Sequence, residues 1–341
     1  MSQKITIYDI AKRAGVSPAT VSRVIHNPSS VKDSTAQKVW DAFTATGITP
    51  ADLSFRASAQ KQTEENSKKH VPTILIIVNS WDNSFFDDIL AGIQDYASKQ
   101  GYRTIVYSSP LLSYHVGEFL EFADSLNISG IITTKRLPEE ALSHISNRYP
   151  IIQCSEYNQD CQNIPYVTID DYNISRQAVE TLIQDGCERI GFFSAPYEFH
   201  YVQERYRAYK SVLYEHHLYS DSSFFISVSD FSFERLLSGA SGFFTRNDPP
   251  DGLFAVSDLH AYATVSAALS AGFRVPQDIK VVGFDDTIYS ILSSPRITTV
   301  HQPRRKIGEE STRLLIDWIS HPHSIPDSLT LPAEIVKRES A

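Results

Sequence analysis

Near the N-terminus the apolar positions follow a helical period: Ile10, Ala11 and Ala14 form one stripe, and Val21, Val24 and Ile25 a second. Between them stands Gly15, suited to the left-handed position that ends a helix. Ser17 then caps a second helix, with Pro18 at its first position, where a missing N–H costs nothing. Thr6 and Asp9 have the spacing of a capping box for the first helix. A third helix is predicted from about Asp33 to Thr46, with Val39, Ala42 and Phe43 facing the first two and Gly47 ending it. Residues 50–70 lose all periodicity and turn polar, which reads as a hinge and linker.

From Val71 the pattern changes to short apolar runs alternating with amphipathic helices. Strands are predicted at 74–78, 104–107, 130–133, 151–154, 189–193, 224–228, 252–256 and 279–284. Helices are predicted at 85–100, 115–127, 138–147, 173–185, 203–217, 232–244 and 258–271. Such runs belong to parallel sheets covered on both faces, and two successive sets predict two doubly wound lobes. A ligand cleft is expected between them, beyond the carboxyl ends of the strands.

Composition narrows the choice. The chain has 341 residues, 42% of them hydrophobic, enough for two or three cores. No apolar run reaches about 18 residues, the length needed to span a membrane, and the opening Met-Ser-Gln-Lys does not read as an export signal. Three cysteines without metal spacing fit reduced thiols in the cytoplasm. Net charge is −9, yet residues 1–69 carry ten Lys/Arg against six Asp/Glu, +4, leaving −13 for the rest. A basic head on an acidic body is expected where only the head touches DNA.

The chemistry of the head fits that expectation. A helix-turn-helix presents the start of its second helix to base edges, which makes Pro18, Ala19, Ser22 and Arg23 the candidate readers. The Ser17 and Thr20 hydroxyls suit phosphate oxygens. Pro18 and Ala19 offer bases little hydrogen bonding, so readout leans on Arg23 to guanine, thymine methyl contacts and DNA shape.

The segment Thr6 to Ile25 resembles the N-terminal signature of the LacI/GalR family of bacterial transcription regulators, and the likeness continues through Asn27-Pro28, Val31, Thr35, Val39, Gly47 and Pro50. It resumes at Asn83-Ser84-Phe85-Phe86, Glu204-Arg205, Val275 to Ile279, Val281 to Asp286 and Ile297 to Pro303, with Glu334 to Ser340 similar to the closing strand. The resemblance implies a small all-α helix-turn-helix domain followed by a two-lobed, periplasmic-binding-protein-like (type I) α/β domain. The chain would cross between lobes three times, near 168, 300 and 328. The expected boundaries are 1–60 for the head with its hinge, 61–70 for a linker and 71–341 for effector binding and dimerisation. Lobe 1 would hold about 71–168 and 301–327, and lobe 2 about 169–299 and 329–341.

The resemblance also extends the DNA-contact set to Thr6, Tyr8 and His26. In the family a Leu after Pro50 wedges into the minor groove, but here that position falls on Ala57, with Phe55 and Arg56 beside it. Either the register shifts and Phe55 is the wedge, or this hinge bends DNA less. Further departures are Ala208 for a frequent Gly, Cys187 for a frequent His, and Ser257-Asp258 for the usual Asn-Asp.

For the cleft the resemblance implies that Asp285 and Arg205 bind effector, through charge-assisted bonds to sugar hydroxyls or a heterocycle edge. Phe85, Phe86 and Phe231 match positions that line the pocket, although core packing is an equal reading for Phe86. Asn83 and Ser257 complete the candidate set, and Ser155 and Glu156 end a strand where they could add acceptors. The pair Asp285-Asp286 lacks a nucleophile or His at useful spacing, so no catalytic residue is assigned. The histidine pairs 216/217 and 321/323 offer no tetrahedral metal set and read as surface residues; no cofactor is assigned.

The expected function is a cytoplasmic, homodimeric repressor, not an enzyme, reading a pseudo-palindromic double-stranded operator under control of a small-molecule effector. A sugar fits better than a nucleobase or nucleoside. A solute-binding protein without DNA function and a sugar-acting α/β enzyme are the alternatives from other classes. A tetramerising heptad is not expected after the closing strand.

Overall fold

The computed structural model describes residues 7–26, 31–46, 71–78, 84–108, 115–161, 163–218 and 224–341. Thr6, Asn83, Phe55 and Arg56 lie outside the described residues, as do the side chains of Tyr8, Ala19 and His26. The chain divides into two compact units, Met1–Val71 and Pro72–Ala341.

The first unit contains α1 (Ile7–Ala14), α2 (Pro18–His26) and α3 (Asp33–Thr46). Ile10, Ala11, Ala14, Val21, Val24, Val39, Ala42 and Phe43 close into one buried cluster. The turn between α1 and α2 is built from local bonds. Gly15 takes φ +65°; the Val16 N–H donates to Ala11 O at 3.0 Å and that of Gly15 to Lys12 O at 3.4 Å. This is the paired bonding that satisfies the last carbonyls of a helix. Ser17 Oγ then accepts from the Thr20 N–H at 3.2 Å, capping α2 one residue before Pro18.

The second unit holds two six-stranded sheets. The first contains β1 (Thr73–Val78), β2 (Arg103–Ser108), β3 (Gly130–Thr133), β4 (Ile151–Cys154), β5 (Tyr166–Ile169) and β11 (Leu329–Leu331), in the order β11-β5-β4-β3-β1-β2. The second contains β6 (Ile190–Ser194), β7 (Phe225–Ser227), β8 (Gly252–Ala255), β9 (Lys280–Asp285), β10 (Thr298–His301) and β12 (Glu334–Val336), ordered β12-β10-β9-β8-β6-β7. Strand β1 is buried at every position, as expected of a parallel strand covered on both faces. Among the described residues the single antiparallel pairing is β10 with β12. Helices intervene: α4 (Phe85–Lys99), α5 (Val116–Ser125), α6 (Glu139–Ser146), α7 (Asp171–Gln184), α8 (His200–Glu215), α9 (Phe233–Phe244), α10 (Asp258–Ser270), α11 (Ile288–Leu292) and α12 (Arg304–Ser320).

The chain passes from the first sheet to the second between Ile169 and Asp171, and returns after His301. The third crossing differs from expectation. Leu329–Leu331 joins the first sheet, Leu329 opposite Val167, and only Glu334–Val336 enters the second. The short Leu-Thr-Leu run finds an open parallel edge on β5, so the crossing falls at 332–333 instead of near 328. In the first lobe α4 and α12 touch backbone to backbone. A Cβ on Gly92 would strike the carbonyl of Arg305, and one on Gly308 the carbonyl of Ile89.

Candidate functional site

In the helical unit, burial of Val21 and Val24 turns the other face of α2 outward. Arg23 is exposed, Pro18, Thr20 and Ser22 are half-buried, and Lys12 and Arg13 stand exposed at the end of α1. The Ser17 and Thr20 hydroxyls lie 2.9 Å apart, so the two groups assigned to phosphate are already joined to each other.

In the second unit the candidate cleft residues gather at the carboxyl ends of β8 and β9. Arg205 on α8 is nearly sealed from solvent. Its Nε donates to Asp171 Oδ1 at 2.8 Å and its Nη1 to Val256 O at 2.5 Å, with Asp285 Oδ1 at 3.7 Å. The guanidinium lies 3.3 Å from the ring centre of Phe284 and 4.8 Å from that of Tyr201, which orients it by stacking. Asp285 ends β9 at φ +103° and Asp286 follows at +53°, a left-handed pair that only surrounding bonds hold in non-glycine residues. Those bonds are visible: Asp285 Oδ1 accepts from Gln302 Nε2 at 2.8 Å. Asp286 turns the other way, to Arg338 at 2.6 Å and His301 at 2.9 Å.

Ser257 and Asp258 open α10. Asp258 is fully buried and accepts from Thr299 Oγ1 at 2.5 Å and from the Thr287 N–H at 2.6 Å. The carboxyl group is pushed up to about 8, first by burial and then by the charge of Asp285. Asp285 itself is raised to about 6 by burial, against the pull of Arg205. Burial raises Asp171 as well. One guanidinium thus stands among carboxyl groups that burial makes reluctant to ionise.

The two lobes meet here through side chains. Glu156, after β4, accepts from the His200 N–H at 2.8 Å and so supplies the cap of α8 across the gap. It is pushed up to about 7, chiefly by burial. His200 Nε2 and the Tyr157 hydroxyl are 2.7 Å apart. Arg304 joins Asp88 in the first turn of α4, at 2.8 Å, to the carbonyl of Asp286 at 3.1 Å. That bridge brings the start of α4, with Phe85 and Phe86, toward the end of β9.

The structure therefore brings Arg205, Asp285 and Ser257 together. Phe231, after β7, is 45% exposed, and its ring lies 5.9 Å from that of His260, whose Nδ1 meets Ser257 Oγ at 2.8 Å. Phe85 is buried in the core of the unit, with Phe86 packed against it edge-on at 5.1 Å between centroids. Residues the sequence reading left without a role are Asp171, Gln302, Arg304, Phe284 and His260. The reading of histidines as surface groups fits the exposed 216/217 and 321/323 pairs, whereas His200 and His260 are buried. The three cysteines are free thiols.

Comparison with known proteins agrees with this architecture. Residues 6–50 match the family model of bacterial regulatory proteins, lacI family, and residues 179–341 that of the periplasmic binding protein-like domain. The HTH-type transcriptional repressor CytR of Escherichia coli (strain K12) is 29% identical, covering 98% of this chain and 96% of the relative. The ribose operon repressor of Halalkalibacterium halodurans is 28% identical, over 98% and 96%. Among solved structures, a transcriptional regulator CelR–cellobiose complex superposes with a TM-score of 0.71 at 23% identity, covering 99% of this chain and 100% of that one. From head to closing strand the chain is similar to such repressors, its head matching the lacI family model and its C-terminal half the periplasmic binding protein-like domain.

Proposed function

We propose that the protein is a cytoplasmic, dimeric transcriptional repressor that reads a pseudo-palindromic operator and is controlled by a small molecule bound between its lobes. The observation that carries this is the Ser17-capped α2, with Pro18, Ser22 and Arg23 turned outward on the basic end of an acidic chain. Residues 1–60 form the DNA-binding part and 61–70 the linker, with 71–341 taking effector. The family's matched relatives are named repressors, which supports the same reading. Selection from a random duplex library with the full chain tests it. A two-fold-related consensus is expected. Arg23→Ala relaxes one base position in each half-site, whereas Lys12→Ala weakens all sequences alike and lowers the salt slope by about one. Failure to enrich any consensus sinks the proposal.

The effector is a sugar, and the regulated genes serve carbohydrate use. Support comes from the paired acceptor and donor of Asp285 and Arg205 beside the exposed face of Phe231, and from the ribose operon named for one relative. A thermal-shift screen of sugars and nucleosides, with Asp285→Ala as control, decides between the two ligand classes. For dimerisation, α11 offers Ile288, Ile291 and Leu292, each at least half exposed. Sedimentation of Leu292→Arg should show monomer where the native chain sediments as a dimer.

A further inference from the structure

Among the described residues, His260 is the buried imidazole with one ring nitrogen left without a hydrogen-bond partner. It sits in the first turn of α10, 1% exposed, with Phe193 edge-on at 4.9 Å between centroids and Phe231 at 5.9 Å. Its Nδ1 meets Ser257 Oγ at 2.8 Å. Its Nε2 is buried and has no hydrogen-bond partner. Ser257 Oγ already accepts, weakly, from the backbone N–H of His260 at 3.5 Å, so its own proton is free to go to Nδ1. With Ser257 donating to Nδ1, the imidazole proton resides on Nε2. Burial, reinforced by the charge of Arg205, pushes the ring down to about 3, so it stays neutral and does not take a second proton.

A buried N–H donor without an acceptor is costly, and such groups occur where something absent completes them. The neighbours identify the place. Ser257 adjoins Val256, whose carbonyl holds Arg205, and Phe231 is the exposed ring above the imidazole. We infer that His260 is a specificity-determining residue of the effector cleft, its Nε2–H donating to a hydroxyl, carbonyl or ring-nitrogen acceptor on the ligand once Phe231 swings aside. This rests on the cleft being the effector site. Asp285 takes a donor from the ligand and His260 gives one, so the ligand must present both kinds of group.

Two measurements on the full chain test it. Treatment with diethyl pyrocarbonate, followed by peptide mass spectrometry, should carbethoxylate His260 more slowly than exposed His323, and several-fold faster in Phe231→Ala. An unmodified His260 in both proteins, with His323 fully modified, would place the ring in sealed core and overturn the inference. Titration with D-ribose, cellobiose and cytidine is the second. For whichever probe binds, His260→Phe should weaken it by about tenfold, His260→Gln by less, and Asp285→Asn should abolish it. A probe lost in Asp285→Asn but unaffected by His260→Phe keeps the cleft and removes His260 from it. Binding by none of the three overturns the cleft reading for these ligand classes and this role with it.

Discussion

The helical unit and the two-sheet unit satisfy their polar groups by opposite means. In the first, the bonds that shape the turn join residues three to five apart: Val16 to Ala11, Gly15 to Lys12, Thr20 to Ser17. In the second, the groups at the cleft are far apart in sequence: Arg205 with Asp171 and Val256, Asp285 with Gln302, Glu156 with His200. Local bonds are cheap to close and individually modest. Buried charges held by distant partners carry a larger penalty when one partner goes, because the survivor stays out of water. Single substitutions should therefore cost much more at the cleft than in the helical turn.

The strongest way to break that contrast is Arg205→Met. An uncharged thioether then replaces the guanidinium that stacks on Phe284, and Asp171 and Asp285 lose their shared cation. A loss of about 4 kcal/mol at neutral pH is expected. Both carboxyls are already raised by burial, and without Arg205 they rise further, so the variant should recover part of its stability on acidification. Urea unfolding at pH 7 and pH 5 checks both. A loss under about 1 kcal/mol would mean the network is ornamental.

Glu156→Gln comes next and runs the other way. A carboxyl whose folded pKa is raised contributes stability below its unfolded value, and that contribution fades as pH rises through the folded one. Glu156 stands at about 7, chiefly from burial, against an ordinary 4.5. The native protein should lose up to about 3 kcal/mol across that window. The amide oxygen of Gln still accepts from the His200 N–H without titrating. The two proteins should match near pH 4 and diverge by pH 7.5, the variant being the more stable. Parallel pH profiles would refute it.

Gly308→Ala probes a contact that is neither charged nor local. The added methyl meets the Ile89 carbonyl, and α4 and α12 must part to admit it. About 2 kcal/mol is expected, read as a lower urea midpoint at unchanged slope. An unchanged midpoint would show that the helices yield freely.

The same division explains what the sequence disclosed. The turn at Gly15–Ser17 was legible because glycine, cap and proline act on their immediate neighbours. The alternation of buried strands and helices was legible too, since its period is local. Strand β5 was missed because Tyr-Val-Thr-Ile is four residues long and gains its place only by pairing with β4 and β11. At the cleft, Arg205 and Asp285 were reached by resemblance. Asp171 lies outside the resembling segments and Gln302 inside one, but neither was given a role, since nothing local distinguishes a carboxylate or amide that meets a partner 34 or 17 residues away. His260 reads from sequence as one more polar residue in a largely apolar helix.

The smallest expected effect sharpens the comparison from the helical side. Ser17→Ala removes a cap worth about 1 kcal/mol, and Ser17→Gly should cost only a few tenths, since glycine exposes the backbone to water. Ser17→Asp keeps an acceptor for the Thr20 N–H and places negative charge at the helix start, so stability should hold or rise. That charge repels phosphate, so Ser17→Asp should still bind duplex DNA more weakly than Ser17→Ala if the α2 start faces the DNA backbone. Helical thermal melts and DNA titrations across salt concentrations separate the two roles. If DNA affinity follows stability through all three variants, Ser17 acts on the helix alone, and the assignment of its hydroxyl to phosphate falls.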